Sequence, residues 1–208
     1  VVRPFFNDKL QEKFAQRALN AIAVNPLYLF TKKPVAKMED LKGMKIRAQG
    51  GAPSKFMEGL GAAAVSMTTT EAITALQTGM LDGVVWSPAS IITNKMANLL
   101  PYAVMQSPIW GNVQYAWNLK SWKALPADLQ QLIEEHSLNV AVQEGAVLSD
   151  KRAQAYLGQL AAMGVKFNTL SDTEVKRWRD VAKTTWDWFA SQSPENKEIM
   201  ELMLAYIQ

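Results

Sequence analysis

A chain of 208 residues, 49% apolar and 20% charged, has the composition of an ordinary globular protein and room for one domain or two small ones. The net charge of +3 is spread along the chain, and no basic cluster exceeds a pair such as Lys32-Lys33, which argues against a nucleic-acid surface. The absence of cysteine excludes disulfides and thiolate chemistry. No apolar run is long enough for a membrane span, and Val1-Val2-Arg3 shows no signal peptide.

In chain order, Asn7 or Asp8 suits a cap for a first helix running to about Asn20, with Leu10, Phe14 and Ala18 facing inward. Residues 21–24 read as a strand, Asn25-Pro26 as a break and 27–31 as a second strand. Lys33-Pro34 opens a loop. Residues 45–48 form a short strand candidate that Gly50-Gly51 stops, and Pro53 then suits the start of a helix to Leu60, with Gly61 as its stop. A second strand is expected over 62–66. Thr68 and Glu71 have capping-box spacing, which predicts a helix to Thr78 closed by Gly79. Asp82-Gly83 reads as a turn before a third strand, Val84-Val85-Trp86. This alternation predicts parallel strands joined by right-handed crossovers.

From Pro88 a helix is expected to about Leu100, then a strand over 103–105. Residues 106–112 read as a crossing with Gly111 as a hinge. Residues 113–118 alternate, with Val113, Tyr115 and Trp117 on one face, and predict a strand with one side buried. Pro126 opens a helical pattern that reaches Ala162. A strand over 165–168 follows, then a second capping-box pattern at Ser171 and Glu174. The helix behind it places Trp178, Val181, Ala182, Thr185, Trp186 and Phe189 on one stripe, which reads as core. Pro194-Glu195 start a last helix through Tyr206.

In a parallel sheet, ligands collect outside the carboxyl ends of the strands. Arg47 stands at one such end, and Trp86 and Ser87 at another. A guanidinium matches a carboxylate with two parallel hydrogen bonds, so Arg47 reads either as a carboxylate clamp or as a solvated arginine on an edge strand. Thr68 and Thr69 read as helix capping or as polar contacts to a ligand. Trp110 and Tyr115 flank the second crossing and read as lining a cleft or as core. His136, the only histidine, lies beside Glu134 and Glu135 with no second ligand or nucleophile at useful spacing, and reads as packed against a helical face. Gly-x-Ser-x-Gly is absent, and Gly50-Gly51 lacks the Gly-Lys-Ser/Thr ending of a phosphate loop. No catalytic residue, metal ligand or cofactor is expected.

The run Asp40-Leu41-Lys42-Gly43-Met44-Lys45-Ile46-Arg47, with Leu60-Gly61-Ala62, Glu71, Ala75-Leu76-Gln77-Thr78-Gly79, Asp82-Gly83, Pro88 and the later Trp122-Lys123-Ala124-Leu125-Pro126, resembles the DctP-type substrate-binding proteins of tripartite ATP-independent periplasmic (TRAP) transporters. The resemblance implies an α/β fold of two lobes like the type II periplasmic binding proteins. Mixed or parallel sheets would be flanked by helices, and a long helix would span both lobes. It implies residues 1–24 and 113–150 in one lobe, and 25–112 with 151–208 in the other. Members carry a further N-terminal part, and this chain is expected to start where that part ends. By the same resemblance Arg47 makes the two-pronged contact with a ligand carboxylate. Thr69 packs on the ligand, and Ser87, with Trp86 before it, stands where relatives often have asparagine. The implied function is periplasmic capture of a small organic acid for delivery to membrane permease subunits, with no nucleic-acid partner and no membrane-embedded segment. A ligand-sensing module of a receptor and an α/β enzyme acting on a small acid are the alternatives.

Overall fold

The computed structural model describes residues 2–106, 109–141 and 149–207; the side chains of 2–6, 20–25, 110–113, 149–150 and 206–207 lie outside the description. The elements are α1 (Val2–Phe14), β1 (Gln16–Thr31), β2 (Lys45–Arg47), α2 (Gly51–Gly59), β3 (Ala63–Val65), α3 (Thr69–Gln77), β4 (Gly83–Trp86), α4 (Pro88–Thr93), β5 (Tyr102–Val104), β6 (Ile109–Asn118), α5 (Leu119–Lys123), α6 (Ala127–Val140), α7 (Ser149–Ala162), β7 (Lys166–Asn168), α8 (Asp172–Ser191) and α9 (Pro194–Ile207). They fall into two compact units, one of residues 1–24, 111–151 and 190–208, the other of 25–110 and 152–189.

The second unit is built on a mixed sheet of order β3-β2-β4-β1-β5-β7. β2 lies parallel between β3 and β4, as the strand–helix alternation predicts, while β1 runs antiparallel to both β4 and β5, and β7 is parallel to β5. Side chains alternate between the two faces of a strand, and the core divides accordingly. Phe30, Val84 and Ala103 pack with Ala72, Ala75 and Leu76 of α3, together with Leu157 and Leu160 of α7. Leu29, Ile46, Val85 and Val104 pack on the other face with Phe56, Met57 and Leu60 of α2 and Trp178 of α8. Helices thus cover both faces of the sheet.

Several boundaries differ from expectation, each for a local reason. The break at Asn25-Pro26 does not occur, and β1 runs unbroken from Gln16 to Thr31. Its ladder with β4 joins Tyr28–Thr31 to Gly83–Trp86, and β6 pairs with β1 as well. The first helix stops at Phe14, and Ala15 turns the chain at φ 51. Ala18 is then a strand residue whose N–H donates to Asn7 Oδ1, 3.0 Å away, so the expected cap residue serves a neighbouring strand instead. α2 begins at Gly51, two residues before Pro53, which a first helical turn tolerates. The helix after Pro88 ends at Thr93, because Asn94 turns its side-chain amide back to donate to the Ser90 carbonyl and Lys95 takes φ 55. The middle of the expected long helix, residues 142–148, lies outside the described residues. Half of the box at Ser171 forms, with the Glu174 N–H donating to Ser171 Oγ at 3.3 Å. The Glu174 carboxylate instead accepts from Met38 N, at 2.9 Å, and from Arg177.

Arg177 also donates two bonds to Glu39, at 2.6 and 3.2 Å. Those bonds hold the Glu39 carboxyl down from 4.5 to about 2. A carboxyl depressed in the folded state adds stability that is complete above its unfolded value and is lost as pH falls toward the folded one. Glu39→Gln is therefore expected to lower the thermal midpoint slightly at pH 7, the pair being exposed, and to flatten its fall between pH 4.5 and about 2 by the same small amount. Melts across that range check it, and an unaltered acid slope contradicts it.

In the first unit the side chains of Lys13 and Glu195 are paired, as are those of Arg17 and Glu134, and Leu119 N donates to Ala15 O at 2.7 Å. Trp117 meets Trp122 edge-on at 5.7 Å. The expected burial of one face of the 113–118 strand is not seen among the described side chains. Gln114, Tyr115, Ala116 and Asn118 are all exposed, and only Trp117 is half-buried. His136 is exposed on α6 rather than packed, and α6 buries no residue.

Candidate functional site

Alternation along β2 decides where its arginine goes. Ile46 fills the layer under α2, so Arg47 turns to the α3 face. On β4 the same rule puts Val84 and Trp86 on that face, and Trp86 packs against the α3-side core. The two side chains therefore meet: the guanidinium carbon lies 4.1 Å from the centre of the Trp86 ring, a stacked cation–π contact. β2 is flanked by β3 and β4, so Arg47 stands on an interior strand, and it is 2% exposed rather than solvated at an edge.

Among the described residues Arg47 has neutral partners only. Nε donates to the Met67 carbonyl at 3.2 Å, and Nη2 donates to Gln49 Oε1 at 2.8 Å. Among the described residues no carboxylate stands within ion-pair distance of it. Burial lowers its pKa from the ordinary guanidinium value, yet it keeps its proton throughout the physiological range. Of its five N–H donors, two are used; one on Nη2 and both on Nη1 are left. A buried cation without a counter-ion is costly, and the arrangement favours an anion at the carboxyl ends of β2, β3 and β4. α2 and α3, the two helices that leave β2 and β3, also begin at this edge with their N–H groups toward it. The N-cap of α2, Gly50 at φ 97, supplies no side-chain bond.

The other predicted residues are placed as follows. Thr68 caps α3: its hydroxyl donates to Glu71 Oε2 at 2.8 Å, its N–H donates to the same oxygen at 2.7 Å, and Glu71 N donates to Thr68 Oγ1 at 3.4 Å. These bonds hold the Glu71 carboxyl below its usual pKa. Thr69 is the first residue of α3 and half-buried, directly after the segment whose Met67 carbonyl anchors Arg47. Ser87 caps α4, accepting from Ser90 N at 3.2 Å with the two hydroxyls 2.8 Å apart. Tyr115 belongs to the first unit and is 53% exposed, and the Trp110 side chain lies outside the described residues. The structure thus brings together Arg47 and Trp86, with Thr68, Thr69 and Ser87 adjoining in the chain. Thr68→Ala is expected to lower stability by about 1 kcal/mol through the lost cap, read as a drop in urea midpoint with unchanged m-value.

Gln49 is the partner that residue-type reasoning did not single out. The signal was its place, two residues past the arginine and just before the Gly50 turn. A separate groove of about 530 Å³ in the same unit is lined by Phe56, Leu170, Trp178, Ala182 and Trp186 and does not include Arg47. Trp186, expected in the core, is 44% exposed there, while Trp178 is buried.

A family model described as bacterial extracellular solute-binding protein, family 7 (DctP) matches residues 5–193, and the chain belongs to that family. It is 27% identical over 180 residues to a solute-binding protein of Albidiferax ferrireducens, covering 82% of this chain and 51% of that one. It is 26% identical over 163 residues to the C4-dicarboxylate-binding periplasmic protein DctP of Rhodobacter capsulatus, covering 76% and 48%. Its fold matches a TRAP periplasmic solute-binding protein of Desulfovibrio desulfuricans, solved with bound sn-glycerol-3-phosphate, at a TM-score of 0.89 and 24% identity over 99% of this chain and 66% of that one. The chain spans about half the length of the curated relatives it matches. The family is one of substrate-binding receptors located outside the cytoplasm, which places this chain in the periplasm. No helix among the described residues is long and apolar enough to cross a membrane.

Proposed function

We propose that this chain is the part of a TRAP transporter's solute receptor that captures a small organic acid through Arg47 and hands it, chemically unchanged, to membrane permease subunits. The observation that carries the reading is the buried guanidinium with neutral partners and no acidic neighbour among the described residues. A ligand oxyanion supplies the missing charge, and the free Nη1–Nη2 end offers it two parallel bonds. Trp86 forms the flat apolar wall behind that end, and Thr69, Thr68 and Ser87 supply polar groups around it. The arginine-bearing unit is that of residues 25–110 and 152–189. The names of two relatives support the class of ligand, one a C4-dicarboxylate and the other sn-glycerol-3-phosphate, both small oxyanions.

Calorimetric titration with succinate and sn-glycerol 3-phosphate, each beside its uncharged counterpart succinamide or glycerol, tests the proposal. Binding heat from at least one acid and none from the uncharged pair is expected, with the acid recovered intact. Equal binding of the uncharged compounds, or no heat from either acid, overturns it for this ligand class.

A further inference from the structure

The seam between α2 and α8 is tight at Gly59, where a Cβ would stand 2.6 Å from Val181 Cγ1. It is not tight along its whole length. The groove of about 530 Å³ lies against Phe56 of α2. A second hollow of about 220 Å³, lined by Pro53, Ile109 and Thr185, shares Phe56, Ala182 and Trp186 with it. Openings of this size suit small ligands. On α8 the larger groove is lined by Val175, Trp178, Arg179, Ala182, Lys183 and Trp186. They recur at the spacing of one helix face.

That face joins two indoles to two cations, and the groove's lining holds no acidic residue. Arg179 and Lys183 are both exposed and one turn apart, a like-charge pair that weakens a helix. Lys183 has Asp180 at 3.5 Å, but Asp180 also takes Lys176 at 3.0 Å. Arg179 has no hydrogen bond or ion pair among the described residues. Trp178, 4% exposed, keeps its Nε1–H buried with no acceptor among the described residues, whereas a buried indole usually finds one. Trp186 leaves 44% of its surface open beside these groups.

We propose that this groove is a second ligand site, which takes an amphipathic anion with a flat apolar body: an aryl carboxylate or aryl sulfonate. The rings of Phe56, Trp178 and Trp186 take the body, where burial and stacking both favour a flat ring. Arg179 and Lys183 take the anionic head, which relieves their mutual repulsion. A neutral aromatic gains nothing from the cations, and a short polar acid gains nothing from the rings. The groove residues belong to the α2-side layer, while Arg47 turns to the α3 face, so the inference stands apart from the carboxylate clamp.

The test reads the groove itself. The protein is made with 5-fluorotryptophan in place of its seven tryptophans, and the Trp186 resonance is assigned by its loss in Trp186→Phe. Titration with 2-naphthoate is expected to shift that resonance saturably. Arg179→Gln/Lys183→Gln should weaken the effect about tenfold, the loss of one to two charge-assisted contacts. The uncharged 2-naphthylmethanol should bind more weakly than 2-naphthoate to the natural protein and equally to both proteins. Both replaced cations are exposed, so the double variant should keep the natural thermal midpoint. No saturable shift at Trp186, or equal 2-naphthoate affinity in the two proteins, overturns the site. A Trp186 resonance that moves on dilution of the protein alone gives the groove to a second copy of the chain, and overturns it as well.

Discussion

Replacing Arg47 by methionine is expected to cost at least about a hundredfold in acid affinity, the loss of two charge-assisted bonds. The fold should not suffer. Arg47 is 2% exposed, and among the described residues its guanidinium meets the Met67 carbonyl, the Gln49 amide and the Trp86 ring and no carboxylate, so the empty protein carries the desolvation cost of a charge with no counter-charge. A methionine of similar length fills the same space against the indole without that cost. The thermal midpoint of Arg47→Met without ligand is thus expected to match or exceed that of the natural protein, and its rise on adding acid should vanish. Arg47→Lys separates charge from shape: it keeps the cation but loses the planar fork, and about tenfold of the affinity should go with it. Calorimetry and melts on the same samples decide. Unchanged affinity in the methionine variant refutes the clamp.

The second large effect lies where the sheet is tightest. A Cβ on Gly83 would stand 2.5 Å from the Phe30 carbonyl oxygen, 2.9 Å from Ile46 Cδ1 and 2.9 Å from Thr31 Cγ2. Gly83 pairs with Thr31 on one side and with Ile46 on the other, so the ladder itself holds the obstructing backbone in place. Gly83→Ala is expected to cost about 3 kcal/mol, lowering the thermal midpoint by about 9 °C for a chain of this size. Gly79→Ala is the control. At φ 77 with nothing within 4 Å of the added carbon, it carries conformational strain alone, about 1 kcal/mol. Equal midpoints for the two variants would show that the close approach at Gly83 relaxes at little cost.

These two positions show what was legible in the sequence. The strand–helix run from Lys45 to Trp86 could be read from Gly61, Gly79 and the Thr68/Glu71 box, because each acts through bonds within a few residues of itself. Gly83 was read as half of a turn. Its real task, letting β1 and β2 close on β4, depends on strands 37 and 52 residues away by sequence number and leaves no local mark. Pro26 failed in the opposite direction. It is a strong local breaker, yet β1 runs through it to pair with β4, β5 and β6. Arg47 was legible from its place at a strand end, and its pairing with Trp86 follows from counting alternation on two strands. The polar setting of that pair was not legible. The Met67 carbonyl has no side-chain signature, and glutamine before glycine is common in loops.

The split of the core across the two faces of β2 has a consequence for remodelling this receptor. Direction on a strand is a matter of odd and even. One residue inserted after Gly43 would swing the guanidinium through half a revolution, into the apolar layer of Phe56 and Leu60, and push Ile46 to the α3 side. Two residues would restore the aim. For the proposed clamp, changes of ligand preference are therefore best sought at positions 49, 69, 86 and 87, where side chains can be exchanged without disturbing the parity that sets the face of Arg47.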